Sequence, residues 1–142
     1  MPSFTDQLQR TVVLKEAIPQ RIVSLVPSIT ELLFDLGLDK RIAGITKFCN
    51  EPSAACALKP KVGGTKNIGH ASLSSLQPDL IIANKEENTP EDIAQLSSIY
   101  PVWVSDVNTF DDALAMIDSI GTMTGTQSLS TGITKQIGRA HV

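Results

Sequence analysis

The residues able to do chemistry sit in four short polar stretches, three of them placed directly after an apolar run. Lys47, Phe48, Cys49 and Asn50 form one, with a single aromatic among polar groups. Asn84, Lys85, Glu86, Glu87 and Asn88 form a second, Pro27 and Ser28 a third, and Gly63, Gly64, Thr65 and Lys66 a fourth. An aromatic in a polar loop suits the wall of a small-molecule site, where apolar surface supplies burial and a few polar groups supply orientation. Phe48 equally suits packing against the next helix. The run 84–88 reads either as a solvated charged loop or as a ligand contact. The glycine stretch lacks the GxxxxGK[ST] spacing of a phosphate loop, which leaves a turn needing positive φ or a cleft-lining loop.

Bond-making chemistry has little support. The chain holds no GxSxG, HExxH or GxGxxG pattern. His70 has no partner ligands spaced for a metal and is expected to cap or precede a short helix. A nucleophilic Cys49 would need a base, and the sequence identifies none. Cys49 and Cys56 stand seven residues apart with no second pair, which is neither a zinc pattern nor a disulfide framework. The expectation is therefore no enzyme, no catalytic cofactor and no metal ligand set.

The elements that position these residues follow from local pattern. Residues 21–26, RIVSLV, are a β-branched apolar run that reads as a buried strand. Ser28, with Glu31 three residues on, predicts a capping box; Leu32, Leu33 and Leu36 make the apolar face, and Gly37 stops the helix. A buried strand running into a capped helix is half a βα unit, and ligands gather where such strands end. Further strands are predicted at 41–46, 79–83 and 100–104, and helices at 52–58, 71–76, from Pro90 behind a Thr89 cap, and at 109–120. Residues 4–14 predict an edge hairpin. Alternating strands and helices specify an α/β fold, a Rossmann-like, mostly parallel sheet of four or five strands flanked by helices.

Composition bounds the rest. The chain has 142 residues and a net charge of −3, enough for one core and unfavourable for nucleic acid. No apolar run is long enough for a transmembrane segment, and residues 1–10 lack the charged and apolar regions of an export signal. Leu129, Ile133 and Ile137 recur at i, i+4 and i+8 and predict an amphipathic helix. Residues 137–142 match the conceptual translation of a common sequencing adapter, so they are expected to be non-native, with the gene truncated near Gln136.

Taken together and in order, RIVSLVPSITELLFDLGL, RIAGITKFC, VGG, LSSLQPDLIIA and VWV resemble the N-terminal lobe of the ABC-transporter substrate-binding proteins for vitamin B12, ferric siderophores and haem. The similarity covers residues 21–125. It implies a periplasmic-binding-protein-like fold of two lobes joined by a long helix, with the ligand between them. Residues 1–20 are then an N-terminal extension, 21–125 one ligand-binding lobe, and 126–142 the start of the inter-lobe helix. Carried over by position, the lobe's share of the cleft is Pro27, Ser28, Lys47, Phe48, Cys49, Asn50, Gly64, Thr65, Lys66, Asn84, Lys85, Glu86, Glu87 and Asn88. The implied ligand is cobalamin or a ferric chelate, and the implied partners are a C-terminal lobe and an ABC permease. The implied location is outside the cytoplasm. Two positions depart from the family: Thr65 stands where those receptors often carry tryptophan, and Ala71 where many carry a permease-facing glutamate. The competing readings are a cytoplasmic corrinoid or metal-chelate protein of the same fold and a small nucleotide- or phosphate-binding α/β enzyme.

Overall fold

The computed structural model describes residues 1–141. The chain opens with β1 (Ser3–Thr5) and β2 (Thr11–Val13), paired antiparallel as a two-stranded sheet of their own. The predicted hairpin is present, but it extends no edge of the main sheet. It docks through the N–H of Gln7 on the carbonyl of Val104 (3.0 Å) and through the buried carboxyl of Asp6.

The main sheet holds β3 (Ile22–Ser24), β4 (Ile42–Ile45), β5 (Leu80–Asn84) and β6 (Val102–Ser105) in the order β4-β3-β5-β6, all parallel. Period-2 alternation splits its side chains between two cores. Ile22, Leu80, Ile82 and Trp103 face one side, and Val23, Leu25, Ile81, Ala83, Val102 and Val104 face the other. That is why DLIIA is a continuous apolar run: the strand is buried on both faces. The predicted α/β class is the observed one, and its mostly parallel sheet of four or five strands is a four-stranded, all-parallel sheet.

Helix α1 (Pro27–Asp35) follows β3, and a 3-10 turn (Asp39–Arg41) leads into β4. The predicted capping box at Ser28 does not form. Val26 is the N-cap, without a side-chain bond, and Pro27 takes the first helical position. Proline has no N–H to satisfy and its φ suits that position, so it starts the helix two residues early and leaves Ser28 exposed inside the first turn. The other end follows expectation. Gly37 and Leu38 donate back to the carbonyls of Phe34 (3.0 Å) and Leu33 (3.0 Å), a Schellman arrangement.

Helices α2 (Ser53–Ala57), α3 (His70–Leu76) and α4 (Pro90–Ser97) come next. Thr89 caps α4 by accepting from the Asp92 N–H at 3.1 Å. Helix α5 (Phe110–Thr124) has a full capping box between Thr109 and Asp112. It runs past its predicted end at residue 120 because its inward face continues through Met123 into the core. Helices α1 and α5 cover one face of the sheet, α3 and α4 the other.

Helix α6 (Gln127–His141) packs back on α5. Its apolar face differs from the i, i+4, i+8 expectation. Ile133 packs on the core, whereas Leu129 and Ile137 are exposed. Ser130 is instead the fully buried contact, because it meets Gly121. Residues 137–141 continue the helix, and Val142, the last of the six expected to be non-native, lies outside the described residues. A Cβ on Gly121 would stand 2.1 Å from the Ser130 hydroxyl. Gly121→Ala is therefore expected to destabilise the fold by about 1–3 kcal/mol, the usual range for overpacking, read as a lower melting midpoint by circular dichroism.

Candidate functional site

Parallel pairing brings all the strand exits to one edge. Ser24 is in register with Ile45 and Ile82, and Asn84 with Ser105. Residues 26–28, 46–50 and 84–88 therefore leave the sheet on the same side. The chain passes from β3 through α1 to β4 on one side of β3, and β5 lies on the other. Helices α1 and α4, which follow β3 and β5, cover opposite faces. The gap between the ends of β3 and β5 is thus the topological switch point, where open α/β sheets place their ligands.

Pro27 is partly exposed and Ser28 exposed at that gap. No glycine lies between β3 and α1, and Pro27 takes away an amide that a phosphate at this helix start would use. The turn therefore argues against the nucleotide-binding enzyme.

The 46–50 loop divides into an outside and an inside. Lys47, Phe48 and Asn50 are exposed, and Phe48 keeps 52% of its surface in solvent. The Lys47 ammonium stands 5.2 Å from the Phe48 ring centroid, within cation–π range. Gly64 packs closely against both: a Cβ there would meet Phe48 Cε2 at 3.2 Å and Lys47 Cε at 3.5 Å. Phe48 is thus a surface platform and not a plug under the next helix. Cys49 points inward. Its sulfur lies 3.0 Å from the Thr30 hydroxyl and 3.2 Å from that of Thr46. Thr30 donates to Ser24 Oγ (2.8 Å), which donates to the Val26 carbonyl (3.0 Å). This buried chain pins the 46–50 loop to the start of α1. The side chain of Cys49, named among the cleft residues from the sequence, is spent holding the loop, because the hydroxyls that satisfy it all lie beneath the surface.

The glycine stretch is a tight turn. Gly63 has φ 100°, and a Cβ there would meet the Asn67 carbonyl at 2.5 Å. Gly64 and Asn67 exchange backbone bonds of 3.1 and 3.4 Å, which leaves Thr65 and Lys66 at the tip. The turn reading holds: Gly63 makes the turn, and the turn borders the gap between β3 and β5. Lys66 reaches across and donates to the Glu86 carbonyl.

In the 84–88 loop the charges face out and the two amides face in. Lys85, Glu86 and Glu87 are exposed. Asn84 Oδ1 accepts from the N–H groups of Glu86 (2.8 Å) and Glu87 (3.0 Å), an Asx turn, while its Nδ2 donates to Ser105 Oγ at 3.0 Å. Asn88 is buried and joins three segments. The sequence reading missed a fourth loop at this edge, residues 106–109. Asp106 stands 3.8 Å from the Lys85 ammonium, and Val107 is exposed. The strand VWV followed by an acid-started helix was the signal that marks it.

His70 opens α3 without capping it and lies 3.2 Å from Asp92 on α4. Among the described residues no three His, Cys, Asp or Glu side chains gather as a metal site. A groove of about 450 Å³ runs along β2 and the turn into β6, at the opposite end of the sheet. Arg10 in its wall is fully engaged with Asp6, Ser97 and the Val102 carbonyl, so it reads as the seam of the docked hairpin.

Both cysteines are free and buried. Burial pushes the Cys56 thiol above its ordinary range, with nearby Cys49 adding to the rise. The folded state thus favours the thiol over the thiolate. That contribution is complete below an unfolded value of about 8.5 and is lost as pH rises through the folded one. Iodoacetamide at pH 7.5 is expected to label neither cysteine rapidly in the native protein and both in urea. Fast native labelling of Cys49 would show that its loop opens.

Among the described residues no helix is long and apolar enough to cross a membrane. The chain is 31% identical over 107 residues to the vitamin B12-binding protein of Pectobacterium atrosepticum, an alignment that covers 75% of this chain and 38% of that protein. Its fold matches the Haemophilus influenzae molybdate periplasmic binding protein MolA with a TM-score of 0.86 at 18% identity, over 95% of this chain and 50% of the other. It also matches the Vibrio cholerae periplasmic vitamin B12 binding protein BtuF with a TM-score of 0.78 at 22% identity, over 85% and 48%. The chain therefore spans about half the length of these relatives or less. Residues 22–136, from β3 into α6, match the periplasmic binding protein family over most of the chain, and the chain belongs to that family.

Proposed function

We propose that this chain is the N-terminal lobe of the receptor component of an ABC importer for cobalamin or an iron-siderophore or haem-type chelate. One observation carries the reading: the 26–28, 46–50, 64–67, 84–88 and 106–109 segments lie at one edge of the sheet, around the switch point and with Phe48 exposed among them, in a chain of the periplasmic binding protein family. Pro27, Ser28, Lys47, Phe48, Asn50, Thr65, Lys66, Lys85, Glu86 and Glu87 offer this lobe's contacts. Gly64, Asn84, Cys49 and Asn88 shape the loops. The lobe contributes one wall of the ligand's enclosure and does no bond-making. Its partners are a second lobe reached through α6, with residues 21–125 as the binding unit, and an ABC permease that it meets on the extracytoplasmic side of the membrane. Ala71, exposed in the first turn of α3, offers no carboxylate to that permease.

The reading favours a chelate over a bare ion, since the edge presents an aromatic, amides and mixed charges. Titrating the full-length protein with cyanocobalamin, haemin, a panel of ferric siderophores, free zinc and free ferric ion tests it. Tight binding of one chelate and none of either free ion is expected. Stoichiometric binding of a free ion, with no chelate bound, would overturn it.

A further inference from the structure

Asn88 sits at the end of a run of exposed charged residues, yet only 1% of its surface is accessible. Its amide nitrogen donates twice, to the Leu25 carbonyl at 3.2 Å and to the Thr65 carbonyl at 2.9 Å. Its side-chain oxygen accepts from the Asn84 N–H at 2.9 Å. The three partners belong to three segments. Leu25 follows β3, Asn84 closes β5, and Thr65 lies at the tip of the 64–67 turn. These are the segments that border the switch point.

We propose that Asn88 is a positioning residue of the ligand site. It sets the spacing of these three segments and acts on a ligand through them without touching it. The inference rests on the binding function proposed above. The chemistry is specific to asparagine, because the position asks for two donors and one acceptor on a short stem. Aspartate in its ionised form has no donor and sets charge against two carbonyl oxygens. Alanine removes all three bonds but leaves room for a water to bridge some of them. The backbone bond from the Leu25 N–H to the Ile82 carbonyl (3.0 Å) holds β3 to β5 but does not reach the 64–67 turn; the tie from Lys66 on that turn to the Glu86 carbonyl lies at the surface, where water can replace it. The Asn88 bonds are inside, where an unmade bond carries the full desolvation penalty.

The test compares wild type, Asn88→Asp and Asn88→Ala in the full chain, with Gln95→Ala on the exposed side of α4 as control. Amide hydrogen exchange is read at residues 63–67 and 84–88 and, separately, in β5 and β6. Affinity is read for cyanocobalamin, haemin and ferric siderophores at a temperature where every variant is folded. For Asn88→Asp, exchange should rise on the order of tenfold in the two loops while the strands keep their protection, as expected of a local opening. Affinity for whichever probe the wild type binds should fall about 10–100-fold, less for Asn88→Ala and not at all for the control. Unchanged loop exchange, exchange raised uniformly through the sheet, or undiminished affinity in both variants would overturn the inference. If the wild type binds none of the probes, the proposed function fails, and the exchange arm still decides whether Asn88 spaces the loops.

Discussion

The 142-residue chain is expected to bind cyanocobalamin or a ferric siderophore at least about 10³-fold more weakly than the same protein extended to the length of its relatives. Small-molecule sites normally bury about 70–90% of the ligand. On the proposed function the loops at the strand exits supply one side of such a site, so a ligand resting on Phe48 and the switch point would keep its far side in water. Removing half the contacts from a complex with an affinity near ~10 nM lowers it by several powers of ten, since each ~1.4 kcal/mol is tenfold. The chain on its own should also self-associate, because α6 leaves Leu129 with 51% of its surface exposed and Ile137 with 36%. Calorimetry on both lengths of protein checks the first part, and sedimentation checks the second. Equal affinities would mean that the site is complete within this chain and that the two-lobe reading is mistaken.

Replacing Asp6 by alanine is expected to be the most damaging single change to the fold. Its side chain is fully buried and accepts four hydrogen bonds. Oδ1 takes the N–H groups of Leu8 (3.0 Å) and Arg10 (2.9 Å). Oδ2 takes Arg10 Nε (2.8 Å) and the N–H of Val104 in β6 (3.2 Å). One carboxyl thus closes the hairpin turn, where Gln9 has φ 65°, and docks the hairpin on the sheet. It also anchors Arg10, whose other nitrogens bond Ser97 Oγ (3.0 Å) and the Val102 carbonyl (2.8 Å). Alanine leaves the buried Val104 N–H without a partner and Arg10 without its counter-charge. Breaking a buried, hydrogen-bonded ion pair costs about 3–5 kcal/mol. For a chain of this size that lowers the melting midpoint by about 10 °C or more. Asparagine is not an equivalent replacement at this position, because its NH₂ group would face N–H donors; Asp6→Asn should recover only part of the loss. A midpoint unchanged in Asp6→Ala would show that the hairpin is dispensable to the fold.

What the sequence determined by itself was local. Thr89 and Thr109 cap helices because each hydroxyl reaches an N–H three residues on. The run DLIIA announces a strand buried on both faces, and alternating strands and helices announce a parallel sheet. From a parallel sheet it follows that the 26–28, 46–50 and 84–88 loops share an edge. Even local logic failed where two signals competed: Ser28 has the pattern of a cap, but Pro27 already occupies the first helical position.

The tertiary structure decided what depends on distant partners. Strand order made the gap between β3 and β5 the switch point. Side-chain direction in the loops was invisible in the sequence, because Asn88 finds its acceptors 63 and 23 residues away, and Asp6 reaches Val104 across 98 residues. Cys49 reads as a cleft residue beside an aromatic, and the structure turns its sulfur inward against Thr30 and Thr46. Leu129 and Ile133 read as one apolar stripe, but the close approach of Ser130 to Gly121 puts Ser130 against α5, so Ile133 packs on the core and Leu129 is exposed. Pattern within a turn or a strand sets which element forms. Which polar group is buried, and which apolar group is left to meet a ligand or another lobe, depends on what the fold brings against it, because a buried donor or acceptor must find its partner wherever in the chain that partner lies.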